Sequence, residues 1–110
     1  MRFIMFVCSD PTGETYVPAE DRGREWAEEM TRRKVRTLGS RLKGVEHAAT
    51  VRRRNGKVLV TDGPFAETRE LIGGFDLLEC RDREEAIEIA SKHPMARFGC
   101  VEIRPFWSEA

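Results

Sequence analysis

Val60-Thr61-Asp62-Gly63-Pro64-Phe65-Ala66-Glu67-Thr68-Arg69-Glu70 stands between two strand patterns. Lys57-Val58-Leu59-Val60-Thr61 leads into it, and Gly73-Gly74 beyond it opens Phe75-Asp76-Leu77-Leu78-Glu79-Cys80. Gly63-Pro64 in its middle is a strong turn signal. Asp62, Glu67 and Glu70, with Arg69 and Thr68, make a dense polar set for a link between strands. The segment therefore fixes a connection in the fold and marks a location for a site, without naming a reaction.

Upstream, His47 to Thr61 reads as a hairpin. Thr50-Val51-Arg52-Arg53-Arg54 and Lys57-Val58-Leu59-Val60-Thr61 flank Asn55-Gly56, and both turn residues tolerate the positive φ of a type I′ turn. Arg52, Arg53, Arg54 and Lys57 at its tip have no interleaved aromatics, so they read as protection of a strand edge rather than a nucleic-acid surface. Residues 2–8 form an apolar run suited to a buried central strand, ended by the turn residues Ser9-Asp10-Pro11-Thr12-Gly13. A helix is predicted from near Pro18, acidic early and basic late as its dipole favours. Trp26, Ala27 and Met30 give it an apolar stripe, and Gly23 weakens its middle by up to about 1 kcal/mol. Val35 to Gly39 fits either the end of that helix or a short strand, and Ser40 to Gly44 reads as turn and loop.

Downstream, Gly73 to Cys80 reads as a strand. Asp82 is placed to cap a second helix with Glu85 three residues on, and Ala86, Ile87, Ile89 and Ala90 supply its apolar face. That helix stops at His93-Pro94, and Cys100 to Phe106 is a last strand. Strand, helix, hairpin, strand, helix, strand is the order of an α+β ferredoxin-like split βαβ sandwich with an extra β-hairpin, a single domain over residues 1–110. Both helices would cover one sheet face. Phe3, Met5, Val7, Phe75, Leu77, Val101 and Ile103 are expected on the other, which calls for a second copy as cover, hence a homodimer.

With 40% apolar and 35% charged residues, 110 residues suffice for one modest core under a charged exterior. Nineteen basic residues balance nineteen acidic ones, where a nucleic-acid binder shows a basic excess. No apolar run approaches membrane-spanning length, and the apolar start is too short for a signal peptide. The expected setting is the cytoplasm, with no nucleic-acid or membrane partner. Cys8, Cys80 and Cys100 are odd in number and lack metal-binding spacing, so they read as small buried hydrophobes.

Asp62 is the first candidate for chemistry. It ends a strand, and Gly63-Pro64 would hold its carboxylate toward a cleft, as a general base or as the acceptor of an Asx-type turn. Phe65 would line an apolar pocket, and Arg69 would hold an anionic group through its fork. Glu67 and Glu70 share a face if the segment turns helically. Three carboxylates in nine residues are weak grounds for a metal, and no metal or cofactor is expected. His93 has the intrinsic pKa for acid–base work, but also suits a helix C-terminus as an imidazolium. Arg104, in the last strand, would need Asp76 or Glu102 as a partner if buried. His47 has no evident role.

Asp62 to Glu70, followed by Gly73-Gly74-Phe75 and Val101-Glu102-Ile103-Arg104-Pro105, resembles the YCII-related (YciI-like) proteins of the DGPF-motif subgroup. Residues 48–107 carry the resemblance well, the first strand and helix loosely. It implies a dimeric α+β barrel of ferredoxin-like units with a cleft near the motif. Enzymatic roles proposed in that family centre on a His–Asp pair with the histidine on the first helix. Here no residue from Pro18 to Val35 is histidine, so only Asp62 matches, and His93 is a different position. Relatives tend to have glycine where Lys34 stands. The expected function is binding of an unknown small molecule beside the motif, with Asp62 and His93 as catalytic candidates and Phe65, Glu67, Arg69 and Arg104 as ligand contacts. The alternative is a non-catalytic module in which the motif is a structural clasp.

Overall fold

The computed structural model describes residues 1–63 and 71–108. Strand β1 (Arg2–Cys8) is followed by helix α1 (Gly23–Arg32), β2 (Arg36–Arg41), β3 (Ala49–Arg54), β4 (Lys57–Asp62), β5 (Ile72–Glu79), α2 (Arg83–Ser91), α3 (Met95–Phe98) and β6 (Cys100–Pro105). β2, β5, β1 and β6 form one sheet in that order, and β3 and β4 form a separate two-stranded ribbon. Every pairing in the main sheet is antiparallel. β1 and β2 are separated by β5, and β5 and β6 by β1. This is the ferredoxin-like α+β arrangement expected from the element order.

Strand alternation divides the sheet into two faces. Phe3, Met5 and Leu78 pack with Trp26 and Met30 of α1 and Ile89 of α2 in the core, and Val7, Val101 and Ile103 border the same cluster. The register then puts Ile4 opposite Leu77 and Phe6 opposite Phe75 on the other face. The expected open face is therefore corrected. Phe3, Met5, Val7, Val101 and Ile103 lie under the helices, and the open face carries Ile4, Phe6, Phe75, Leu77 and the exposed Leu38. Alternation alone cannot say which half of a strand faces the helices.

The first helix starts later than Pro18. Pro18–Glu20 is one 3-10 turn, and Asp21 is extended. The Asp21 carboxylate accepts from Gly23 N–H at 3.0 Å, so the α-helix begins there. Gly23 therefore sits in the first turn, where its propensity cost is small. At the far end Lys34 takes φ 62°. Lys34 N–H donates to Thr31 O and Val35 N–H to Met30 O, each at 3.0 Å, a Schellman closure with Met30 and Val35 in the core. The chain then enters β2, so residues 36–41 are strand, including Ser40 and Arg41, which the sequence placed in a loop.

The hairpin forms as expected, with Asn55 at φ 51° and Gly56 at φ 75°. Asp82 accepts from Glu85 N–H at 2.8 Å at the start of α2. The short α3 after Pro94 lies outside the sequence reading. Among the described residues no helix is long and apolar enough to cross a membrane.

Lys34 holds a conformation that costs an L-residue roughly 1–2 kcal/mol and costs glycine little. Part of that gain is offset by glycine's greater freedom in the unfolded chain. Lys34→Gly is therefore expected to stabilise the fold by about 0.5–1 kcal/mol, read as a higher urea midpoint at unchanged m-value. A lower midpoint would contradict the strain at this cap.

Candidate functional site

Two glycines on the helix-covered side of the sheet leave room above it. Gly74 pairs with Val7 on one side and Arg41 on the other, and Gly39 pairs with Asp76. A Cβ on Gly74 would sit 3.1 Å from Ser40 O, and one on Gly39 would fall on the Asp76 carboxylate. At Gly74 the floor of this end of the sheet carries no side chain. The result is an open cleft of about 1050 Å³. Its floor is the start of β5 and the end of β2. One wall is α1 with Trp26 and Ala27, another is His93 and Met95, and the segment Leu42 to Glu46 closes the side.

The wall is fixed by hydrogen bonds. The Trp26 indole N–H donates to Ile89 O at 3.0 Å in a buried contact, tying α1 to the last turn of α2. His93 meets the Trp26 ring edge-on at 4.8 Å. Its Nδ1 accepts from Met95 N–H at 3.0 Å, so the neutral ring carries its proton on Nε2. Burial pushes its pKa down to about 4, against a smaller upward pull from the Asp21 carboxylate. His93 is therefore neutral near pH 7. The imidazolium at a helix C-terminus, one sequence reading, is replaced by a neutral acceptor for the first turn after α2.

Tyr16 and Asp21 stand at the rim. The Tyr16 hydroxyl donates to Asp21 Oδ2 at 2.6 Å, which raises the tyrosine pKa. Arg97 holds this rim through Glu14 at 2.9 Å and Glu20 at 3.1 Å. Inside, Arg36 Nε donates to the buried Asp76 Oδ1 at 2.6 Å. Burial still raises the Asp76 pKa, more than Arg36 lowers it.

Among the sequence candidates, His93 lines this cleft, and Asp62 and Arg104 do not. Asp62 ends β4 opposite Ala49 and is exposed. Its neighbour Gly63, at φ 103°, is held by N–H to Ala48 O and by its carbonyl from Thr50 Oγ1, both at 2.8 Å. Arg104 is exposed on the open face and donates to Glu102 at 2.7 Å, so of its two expected partners Glu102 is the one used. Asp76 belongs to Arg36. Phe65, Glu67, Arg69 and Glu70 lie outside the described residues. The chain re-enters the described part at Leu71, which lines the cleft and is tied to Ser9 by two hydrogen bonds, at 2.9 and 3.1 Å. By sequence alone Trp26 reads only as core. Asp21, Arg36 and Arg41 were missed, because their proximity arises from packing between distant segments. An aspartate flanked by Phe75 and Leu77 in a strand was the one signal pointing to Asp76. Among the described residues no group of three His, Cys, Asp or Glu side chains is placed to hold a metal ion. The Cys80 thiol is pushed up to about 11 by burial first and Glu85 second, so it is no nucleophile at neutral pH.

A family model described as YCII-related domain matches residues 1–109. An uncharacterised protein of Rhizobium meliloti (strain 1021) is 41% identical over 68 residues, which are 60% of this chain and 55% of that protein. The chain thus spans about half the length of the curated relative it matches. Among solved structures, 5-chloro-2-hydroxyhydroquinone dehydrochlorinase from Burkholderia phenoliruptrix AC1100, in complex with 2,5-dihydroxybenzoquinone, aligns with a TM-score of 0.54 at 14% identity. The alignment covers 96% of this chain and 93% of that one, and at this identity it shows a shared fold.

Two outcomes follow from the site geometry. Gly39→Ala is expected to break the Arg36–Asp76 pair and cost about 2–4 kcal/mol by denaturant unfolding; a cost within experimental error would contradict the close approach. For His93, the unfolded ring takes a proton below its ordinary pKa of 6.5, and the buried ring only near 4. Between those values the unfolded state binds more protons, so stability falls as pH drops. The slope from this residue is at most about 1.4 kcal/mol per pH unit. His93→Gln is expected to flatten that part of the stability–pH curve. An unchanged slope would contradict a buried neutral ring.

Proposed function

The chain belongs to the YCII-related family, and we propose that it binds a small organic molecule in the cleft beside the Asp62-Gly63-Pro64-Phe65 segment. The observation that carries this is the cleft itself: about 1050 Å³, with Trp26 and Ala27 on an apolar wall, His93 against the Trp26 ring, and Gly74 in the strand floor. Small-molecule sites combine an apolar lining with a few placed polar groups in this way. The motif segment rejoins the cleft at Leu71. The structural neighbour, a dehydrochlorinase holding a small quinone, gives the reading support by analogy of fold.

In this proposal Phe65, Glu67 and Arg69 contact the ligand from the motif side. Asp62, exposed at the end of β4 and outside the cleft lining, anchors the start of that segment, and His93 donates a hydrogen bond to the ligand from its Nε2–H. Arg104, on the open face, serves the interface rather than the cleft. The functional unit is a homodimer. Its support is the half-buried apolar set Ile4, Phe6, Phe75 and Leu77 on the uncovered sheet face, with the exposed Leu38 beside it. Val51, Val58 and Val60 share one exposed face of the detached hairpin. A second copy would cover both surfaces. We assign it to the cytoplasm.

A second reading is favoured by Gly63, whose N–H and carbonyl are both fastened to the strand across the hairpin. In that reading the motif is a structural clasp. Asp62→Asn separates the two. Loss of stability and dimerisation with ligand binding intact supports the clasp, and the reverse supports the site.

Trp26 and Trp107 are the two tryptophans, and Trp107 is fully exposed. A Trp107→Phe protein therefore reports from Trp26 alone. Small aromatic and quinonoid compounds are expected to quench its fluorescence saturably and raise the melting temperature, by about 2.7 kcal/mol of stabilisation at a hundred-fold excess over Kd. No saturable quench and no melting shift across such a set would end the cleft reading. Light scattering at micromolar concentration is expected to give a dimer mass, and a monomer would remove the interface.

A further inference from the structure

We infer that this cleft selects a small organic anion, its charged oxygens held by Arg41 and its apolar body laid against Trp26. The inference rests on the proposed cleft reading and adds the charge of the ligand.

Among the described residues, four cationic side chains line the cleft, Arg24, Arg36, Arg41 and Lys43, against the carboxylates Asp21, Glu46 and Asp76. Their engagements are unequal. Arg36 and Asp76 are spent on each other. Asp21 accepts from the Tyr16 hydroxyl with Oδ2 and from Gly23 N–H with Oδ1. Glu46 lies 3.8 Å from its neighbour His47. The side chains of Arg24, Arg41 and Lys43 make no ion pair or hydrogen bond with any described residue. Asp21 and Asp76 are thus occupied, and among the described residues three unmatched cations face one weakly engaged carboxylate, Glu46.

Arg41 is the best placed of them. Its register partner is Gly74, the shallow point of the floor, and Gly74 pairs in turn with Val7 at the edge of the core. That parity puts Arg41 on the helix side of the sheet, over the cleft rather than over the open face. Its charge is felt by Tyr16, and Tyr16 is bonded to Asp21. Asp21 in turn acts on His93. Arg41, the rim pair and His93 therefore share one electrostatic neighbourhood. The His93 ring, with Nδ1 occupied by Met95 N–H, offers an N–H and no charge. A guanidinium fork and an imidazole N–H are both donors, and their complement is an oxygen anion: a carboxylate, an enolate or a phenolate. Trp26 beside them accommodates a planar body.

The test uses benzoate and phenylacetate against their neutral isosteres benzamide and phenylacetamide, followed by the Trp26 indole N–H signal in titrations of the full chain. The carboxylates are expected to bind about ten-fold more tightly than the amides, the margin of a charge-assisted over a neutral hydrogen bond. That margin should shrink as salt is raised. Arg41→Gln should abolish the margin while leaving amide binding in place, and Arg53→Gln at the hairpin tip should change neither series. Equal or tighter amide binding by the unaltered protein overturns the anion inference and leaves the cleft reading standing. A margin that survives Arg41→Gln overturns the assignment to Arg41. Failure of both series to move the Trp26 signal overturns the inference and the cleft reading together.

Discussion

The contact on which the site depends is the buried hydrogen bond from the Trp26 indole to the carbonyl of Ile89. It joins two helices that approach the sheet from different halves of the chain. Ile89 is in the last turn of α2, and the same carbonyl also receives Lys92 N–H. The helix therefore ends with this acceptor doubly used, and the chain turns at once through His93 and Pro94. His93 falls against the Trp26 ring and gives its Nδ1 to Met95 N–H, which starts α3. Beyond α3, Gly99 passes so close to Cys8 O that a side chain there has no space. One indole thus sets the distance between the helices, the placement of the histidine and the return of the chain into β6.

The sheet supplies the opposite constraint. A carboxylate buried at Asp76 must have a partner, and Arg36 reaches it across the β2–β5 pair. That reach passes over residue 39, which has to be glycine. The same need for shallow backbone recurs at Gly74, where Ser40 O lies close. Space for a ligand is therefore a by-product of keeping an ion pair inside an otherwise apolar layer. Burial keeps the Asp76 carboxyl easier to protonate than usual even with its partner in place, so this pair serves geometry more than stability.

Much of the fold was legible because local chemistry and tertiary structure agree. Asn55-Gly56 specified its turn, Asp82 its cap, and the order of elements specified the split βαβ sheet. β2 was ambiguous for a physical reason: Arg36-Thr37-Leu38-Gly39-Ser40-Arg41 is a polar edge strand whose inward positions hold an ion-paired arginine and a glycine, so it lacks the apolar alternation of a strand. The late start of α1 depends on Asp21 capping Gly23, which Pro18 obscures. Lys34 in the left-handed region contradicts residue preference and is held there by the Met30–Val35 closure. Of the residues that line the cleft, His93 was the candidate the sequence pointed to. It did not indicate the cleft, since Tyr16, Asp21, Trp26, Arg41 and His93 meet only through packing. Long-range register also escaped it: Cys8 and Cys100, remote in sequence, are directly opposite on β1 and β6.

In the proposed site the ligand lies between α1 and the Gly74 end of β5, and not at the exposed end of β4. A crystal structure of the protein soaked with a small aromatic acid decides this most directly. The molecule is expected against Trp26, over Gly74 and within hydrogen-bonding reach of His93 Nε2. A molecule seated instead at Asp62 or Arg104, with only solvent in the cleft, would contradict it.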